Sequence, residues 1–393
     1  MPTAAAQTRF IPMAPAAAAT PVYVLGNDLL HEVFLRLPTP ADLLRTALAC
    51  KPFLGAARNA AFLRQFRRLN PSTCPLLLGC LLRPEDHLPL LLSEEAADET
   101  RRVAETGDFA LSFLPGGGAP WQVLDCRNGR LLARNLASGE LVVADPLSRR
   151  WVSLPAPPTE RPVGYGLVAG DVNSSVFHAV CISRDAGSGS SEMRASVLSS
   201  SEFRWADVAG LASQPNLAGS RAMHSHRSLY WKLEGGERMV ALNTATTEFS
   251  LVDLPKELHK LSFDVFEKEE DGGLYLLTMR AWSIEVWAAV EDGTGGLIWR
   301  LVDTSVRFNR AMEEMHGSPW SYRDGLDVIG VAAGFVFLRH GALLFSIDLE
   351  TMRPERLSLK EDCPSALIYP YTTAWPPLFL SPTEQGASQG RRC

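Results

Sequence analysis

Four aromatic residues, Trp151, Trp205, Phe249 and Trp299, mark strand-like runs that recur after 54, 44 and 50 residues, with Arg356 a further 57 on. Between them the chain is a succession of short apolar runs broken by Gly, Asn, Asp and Pro, which is the pattern of strands and turns. The clearest unit is 121–154. VLDC leads into the turn Arg127-Asn128-Gly129, LLAR follows, a second turn falls at Ala137-Ser138-Gly139, LVVAD follows that, and Pro146-Leu147-Ser148 turns the chain into RRWVSLP. The same grammar recurs in FHAVCIS, RASVLSS and FRWADV; in LYWKL, MVALN and FSLVDLP; in LYLLTM, IEVWAAV and LIWRLVDTSV; and in DVIGVAAGFVFLRH with ALLFSIDLETMRPERLSL. A period near 50 with four strands per unit predicts propeller blades. One blade alone exposes its apolar faces, whereas a closed ring buries each against its neighbour. Five blades occupy about 107–359, and a sixth is expected from strands near 76–92 combined with the C-terminal PYTTAWPPLFL at 370–380. A five-bladed or irregular ring is the alternative.

Residues 23–69 obey a different period. Leu29, Leu30, Val33, Phe34 and Leu37 recur at helical spacing from Asn27 or Asp28, either of which suits an N-cap, until Pro38 stops the helix. A second helix begins with Thr39 as cap and Pro40 in its first position, Asp42 favours its positive end, and Leu43, Leu44, Ala47 and Leu48 form its apolar face. A third segment follows Lys51 and is interrupted near Asn59, which can cap a further turn carrying Phe62, Leu63 and Phe66. Three short helices make a meagre core, and such a unit usually borrows a partner. On periodicity alone, a small core subdomain of a larger protein is the plainer explanation.

The order Leu25-x-x-Asp28-Leu29-Leu30-x-x-Val33-Phe34-Leu35-Arg36-Leu37-Pro38, then Asp42-Leu43-Leu44-Arg45, then Ala49-Cys50-Lys51, resembles the F-box. That module docks substrate receptors on a Skp-type adaptor in cullin-based ubiquitin ligases. Two departures stand out: Gly26 occupies a position where the family usually has Pro, and Pro52-Phe53 replaces a basic residue and Trp. Phe53 fills a Trp pocket less completely, and Pro52 is tolerable only where a helix starts. The phrases DCRNGRLL, VVADPLSRRWVSLP, FSIDLETM and YTTAWPPLFL resemble the F-box-associated propeller-like region of a large plant group common in grasses. These phrases are structural turns and identify no ligand.

At 393 residues, 46% of them hydrophobic, the chain has ample material for two or three domains. Its longest apolar runs, Leu76–Leu82 and Gly330–Leu338, fall short of the ~20 residues a bilayer requires. Residues 1–20 read as a disordered Ala/Pro leader, with a transit peptide as the weaker alternative, and 381–393 as a disordered tail. The net charge of −6 hides an asymmetry: residues 21–70 hold seven Lys/Arg against three Asp/Glu, while 71–393 hold 30 against 41. An acidic body argues against nucleic acid. The basic run Arg64, Arg67 and Arg68 reads as a solvated helix face. Seven scattered cysteines, none in a C-x-x-C pair, argue for a reducing compartment and against a zinc ribbon or disulfide framework.

Few residues suggest chemistry. His224-Ser225-His226 could bind a metal from one strand face but lacks a third ligand nearby. The acidic run Glu267, Glu269, Glu270 and Asp271 lacks the alternating oxygen ligands of a calcium loop. Gly116–Gly118 and Gly187–Ser191 lack the Gly-Lys-Ser/Thr ending of a phosphate loop, and no Gly-x-Ser-x-Gly elbow occurs. Paired carboxylates in a propeller channel stay open, because sequence spacing does not report their distance.

The expected architecture is α+β and multidomain: a three-helix F-box over 21–70 and an all-β propeller of five to six blades over 71–380. The resemblance implies a non-catalytic substrate-recognition subunit of a Skp-cullin-F-box ubiquitin ligase, without cofactor or metal, acting in cytoplasm or nucleus on an unknown protein target. By motif position the adaptor contact falls to Leu25, Leu29, Leu30, Val33, Phe34, Leu37, Pro38, Leu43, Leu44, Ala47 and Cys50, some of which must instead form the helices' own core. Trp320 and Tyr322, on the aromatic- and Met-bearing stretch Phe308–Arg323, are the candidate target contacts. The alternatives are an F-box protein working outside a cullin complex, or a propeller hydrolase with a helical cap.

Overall fold

The computed structural model describes residues 26–38, 40–70, 77–82, 90–94, 96, 98–116, 120–159, 161–169, 176–184, 192–211, 216–217, 221–225, 228–267, 273–280, 282–291, 297–304, 325–341, 343–357 and 367–374. Leu25, Trp320, Tyr322, His226 and both terminal stretches expected to be disordered lie outside them.

The N-terminal unit has four helices where three are expected: α1 Asn27–Phe34, α2 Pro40–Ala49, α3 Lys51–Ala57 and α4 Ala60–Leu69. The third segment divides because Asn59 leaves helical geometry and its Oδ1 accepts from Phe62 N at 3.0 Å, starting a new helix. Pro52 lies in the first turn of α3, where its missing N–H costs nothing. Neither Asn27 nor Asp28 caps α1. Both are already helical, and Gly26, in extended backbone, takes the cap position without a side-chain acceptor.

A fifth helix, α5 Asp98–Thr106, is not legible in the sequence because DETRRVAET carries no apolar stripe; of its described side chains only Ala104 is buried. No described helix is long and apolar enough to cross a membrane.

The strands are β1 Leu77–Leu82, β2 Leu90–Leu91, β3 Trp121–Arg127, β4 Arg130–Asn135, β5 Leu141–Asp145, β6 Arg150–Leu154, β7 Pro162–Ala169, β8 Phe177–Arg184, β9 Met193–Ser199, β10 Arg204–Leu211, β11 Met223–Ser225 and β12 Ser228–Lys232. They continue as β13 Arg238–Asn243, β14 Phe249–Asp253, β15 Phe263–Glu267, β16 Leu274–Arg280, β17 Ser283–Glu291, β18 Leu297–Thr304, β19 Asp327–Ala332, β20 Phe335–His340, β21 Leu343–Asp348, β22 Pro354–Arg356 and β23 Ile368–Thr372. They form six antiparallel sheets: β3 to β6, β7 to β10, β11 to β14, β15 to β18 and β19 to β22, each four-stranded, and a three-stranded sheet in the order β2-β1-β23. The fold is therefore a six-bladed propeller, which removes the five-bladed alternative. β23 closes the ring: it pairs with β1 and touches the first strands of the blades on either side, β19 and β3. The closing strand thus begins earlier than 370 and joins its blade as the innermost strand.

Each of the five complete blades has the same internal logic. The marker residues Trp151, Trp205, Phe249, Trp299 and Arg356 all fall on fourth, outermost strands. In the first, third and fifth blades the turn into that strand is built by a polar side chain closing the third strand. Asp145, Asn243 and Asp348 each accept from two backbone N–H groups two and three residues on. Four residues after the third strand's closing residue, Arg149, Phe203, Thr247 and Met352 each adopt a left-handed φ between 53° and 59°. This is why DPLSRRW, NTATTEF and DLETMRP look alike.

The first strands β7, β11 and β15 lie outside the strand-like runs that the sequence announces. β7 carries Gly164 and Gly166 because the next blade presses on it: a Cβ at Gly166 would collide with Leu229 and Trp231. Close approach has replaced the apolar alternation that announces a strand. Between blades the interfaces are apolar, and tryptophans tie the rims. Trp205 Nε1 donates to Pro155 O at 2.8 Å and Trp299 Nε1 to Asp253 O at 2.9 Å, each reaching the preceding blade. Among the described residues the preceding blade has three strands and offers Trp151 no such partner, and Trp151 is left 42% exposed.

Candidate functional site

Two places could carry function, the outer face of the helical unit and the centre of the propeller. The helical unit packs its own core from Leu30, Phe34, Leu43, Ala47, Ala56, Ala57, Phe62, Leu63 and Phe66. His31 stacks on Phe62 at 4.8 Å and its Nε2 lies 2.9 Å from Ala56 O, while Phe53 meets Phe34 edge-on at 5.5 Å. Phe53 is thus half-buried against that core.

This core divides the residues expected to meet an adaptor. Leu30, Phe34, Leu43 and Ala47 are buried among the helices themselves and present nothing to a partner. Leu37, Leu44 and Cys50 are half-buried, and Pro38 is exposed. Leu29 and Val33, one turn apart on the flank of α1 beside the buried pair, are 56% and 47% exposed. Leu48, at the end of α2, is 65% exposed. Leu48 belongs to the apolar face of α2 but not to the motif positions that imply adaptor contact. The signal was there: Leu43, Leu44, Ala47 and Leu48 make an apolar stripe wider than so small a core can cover. Covering three such side chains is worth roughly 1–2 kcal/mol each.

Gly26 adopts φ −62° and ψ 158°, the conformation of a proline, and a Cβ there would meet nothing within 4 Å. Gly26→Pro is expected to stabilise the helical unit by about 0.4–1 kcal/mol through the unfolded chain, checked by denaturant melts followed at a helical signal. A loss of stability would mean that the Gly26 N–H has a role.

The centre of the propeller holds a buried polar lattice that was not anticipated. Asp125, on β3, accepts from Leu167 N of the next blade at 2.6 Å, from Cys126 N at 2.8 Å, and lies 3.0 Å from His224 Nε2 on β11. Asp264, on β15, accepts from Val331 N of the following blade at 2.6 Å and from Val265 N at 2.9 Å, and is paired with Arg221 just before β11. Burial pushes the Asp264 carboxyl up, while Arg221 and the two N–H groups pull it back. One carboxylate in blade one and one in blade four thus each staple a pair of inner strands and draw a side chain from the third blade. VLDC and SFDVF did carry the hint, an acidic residue inside an apolar strand.

His224 is therefore committed to Asp125 and serves the ring. The buried thiols nearby are no more reactive: burial holds Cys80 and Cys126 far above the usual range and Cys181 at about 12, so all three stay protonated at neutral pH. The site residues proposed for a target, Trp320 and Tyr322, lie outside the described residues, as do most of the acidic run and both glycine-rich loops beyond Gly116.

A family model described as F-box protein AT5G49610-like, beta-propeller, matches residues 122–379. No curated protein matches the chain. Among solved structures the chain is similar to YCF48 bound to a D1 peptide (12% identity, 62% of this chain and 69% of that one, TM-score 0.36). It is also similar to a chain of the nidogen/laminin complex (9%, 71% and 95%, TM-score 0.39) and to TolB from Acinetobacter baumannii (8%, 75% and 67%, TM-score 0.39).

Proposed function

We propose that this chain, which belongs to the F-box protein AT5G49610-like β-propeller family, is the non-catalytic substrate-recognition subunit of a Skp-cullin-F-box ubiquitin ligase. One observation carries the reading: a four-helix unit that completes its own core yet leaves Leu29, Val33 and Leu48 uncovered, fused to a propeller. That exposed face is the proposed seat of a Skp-type adaptor, bridging to a cullin. The propeller then presents a protein target whose identity the sequence does not give, in cytoplasm or nucleus. Mechanism is proximity. Holding the target beside a charged conjugating enzyme raises its effective concentration, and no bond-making side chain is required of this chain.

The test separates face from core. Leu29→Ala, Val33→Ala and Leu48→Ala together are expected to weaken capture of a Skp-type adaptor by about 2–4 kcal/mol, with an unchanged melting profile. Co-purification of full-length chain with adaptor and cullin reads both steps. Capture that survives the triple substitution moves the interface elsewhere, and adaptor without cullin would favour action outside a cullin complex.

A further inference from the structure

The rim of a propeller is where strands keep an unpaired edge, and the blades of this one guard it unequally. β22 is three residues long and starts at Pro354; β6 opens on Arg150; β14 ends on Asp253; β10 carries Arg204, Asp207 and Gly210. β18 stands apart. It is eight residues long, as β10 is, but here Leu297, Ile298, Leu301 and Val302 are each between 40% and 50% exposed, with Val290, opposite Ile298, also exposed. Among the described residues its only strand partner is β17. An apolar edge of this length is a template for a further strand.

The charges on β18 indicate which strand. An irregularity at Val302 sets Arg300 opposite Ala288 and Asp303 opposite Val286, so that both charges fall on the same face of the sheet. Let a second β18 run antiparallel to the first about a two-fold axis between Leu301 and Val302. Arg300 of each copy then lies directly opposite Asp303 of the other, and Leu301 lies opposite Val302. A shift by one residue in either direction would set Arg300 against Val302 or Thr304 and lose the charge pairing. The strand is thus self-complementary in charge and in apolar contact, which is what a closed, isologous contact needs.

We propose that β18 is a dimerisation edge: two copies of this chain pair through it, extending blade four of each into one continuous sheet. The contact uses only residues of blade four, so the inference stands or falls independently of adaptor binding.

Charge reversal tests it. Light scattering and sedimentation of the full chain are expected to show a dimer. Arg300→Asp or Asp303→Arg each bring like charges together twice and should raise the dimer dissociation constant at least about tenfold. Both residues are exposed, so the melting temperature should not move. The double reversal restores opposite charges and should restore the dimer. A wild-type chain that stays monomeric at its highest soluble concentration overturns the proposal, as do single reversals without effect or a double reversal that stays monomeric. Hydrogen exchange showing β18 protected in such a monomer would assign the edge to residues 305–324 instead.

Discussion

A chain ending at residue 366 is expected to lose the cooperative melting transition of the propeller. The missing β23 is the innermost strand of the sixth blade, flanked by β19 on one side and β3 on the other. Its Ile368, Tyr369 and Tyr371 are almost wholly buried, and Tyr371 packs edge-on against Phe109 at 4.9 Å while its hydroxyl donates to Gly129 O at 3.0 Å. Losing three such side chains removes roughly 5–9 kcal/mol of apolar burial, comparable with the whole stability of a typical domain. The ladder to β1 goes with it. The first and fifth blades would then face an open slot, with β1 and β2 unable to span it. Circular dichroism and calorimetry decide the matter, because an unchanged transition would mean that the ring closes without β23. A graded control is Tyr371→Phe, which deletes only the bond to Gly129 and should cost about 1 kcal/mol.

The sequence disclosed the rim of this molecule better than its centre. Outer strands are entered by fixed turns, and a turn such as Asp145 to Arg149 needs an oxygen acceptor at one position and tolerance of left-handed backbone four residues on, so it leaves a mark in the chain. Inner strands are shaped by neighbours far away in sequence. Gly164 and Gly166 are there for Trp231 and Leu229, and nothing local says so. The helical unit shows the same division. Its period gave helices at nearly the right positions, and Asn59 gave away a cap. Periodicity gives a helix an apolar stripe without saying which part of it the unit keeps for itself. Leu30 and Phe34 share that stripe with Leu29 and Val33, and only packing sends the first pair inward and leaves the second outside.

The same reasoning gives different costs for the two buried carboxylates. Asp264→Ala is expected to destabilise the propeller by about 3–5 kcal/mol, because it leaves Arg221 charged and without its counterion in the ring's interior. A guanidinium cannot escape by losing its proton. The N–H groups of Val331 and Val265 lose their acceptor at the same time. Asp125→Ala is geometrically the twin, since it strands Leu167 N and Cys126 N. Its side-chain partner, however, is the imidazole of His224, which unlike a guanidinium is not an obligate cation. That substitution should cost about 1–3 kcal/mol, the penalty of unsatisfied donors alone. Denaturant melts of both variants, followed at a propeller signal, measure the difference, and equal costs would show that the Arg221 charge is not the source. A second substitution sharpens the test. Arg221→Met combined with Asp264→Leu removes both charges in similar volume and should recover most of the loss, as replacing a whole buried pair commonly does. Recovery would identify the pair as a device that fixes how the third, fourth and fifth blades meet. Failure to recover would place the stabilisation in the bond from Asp264 to Val331, which the leucine cannot make.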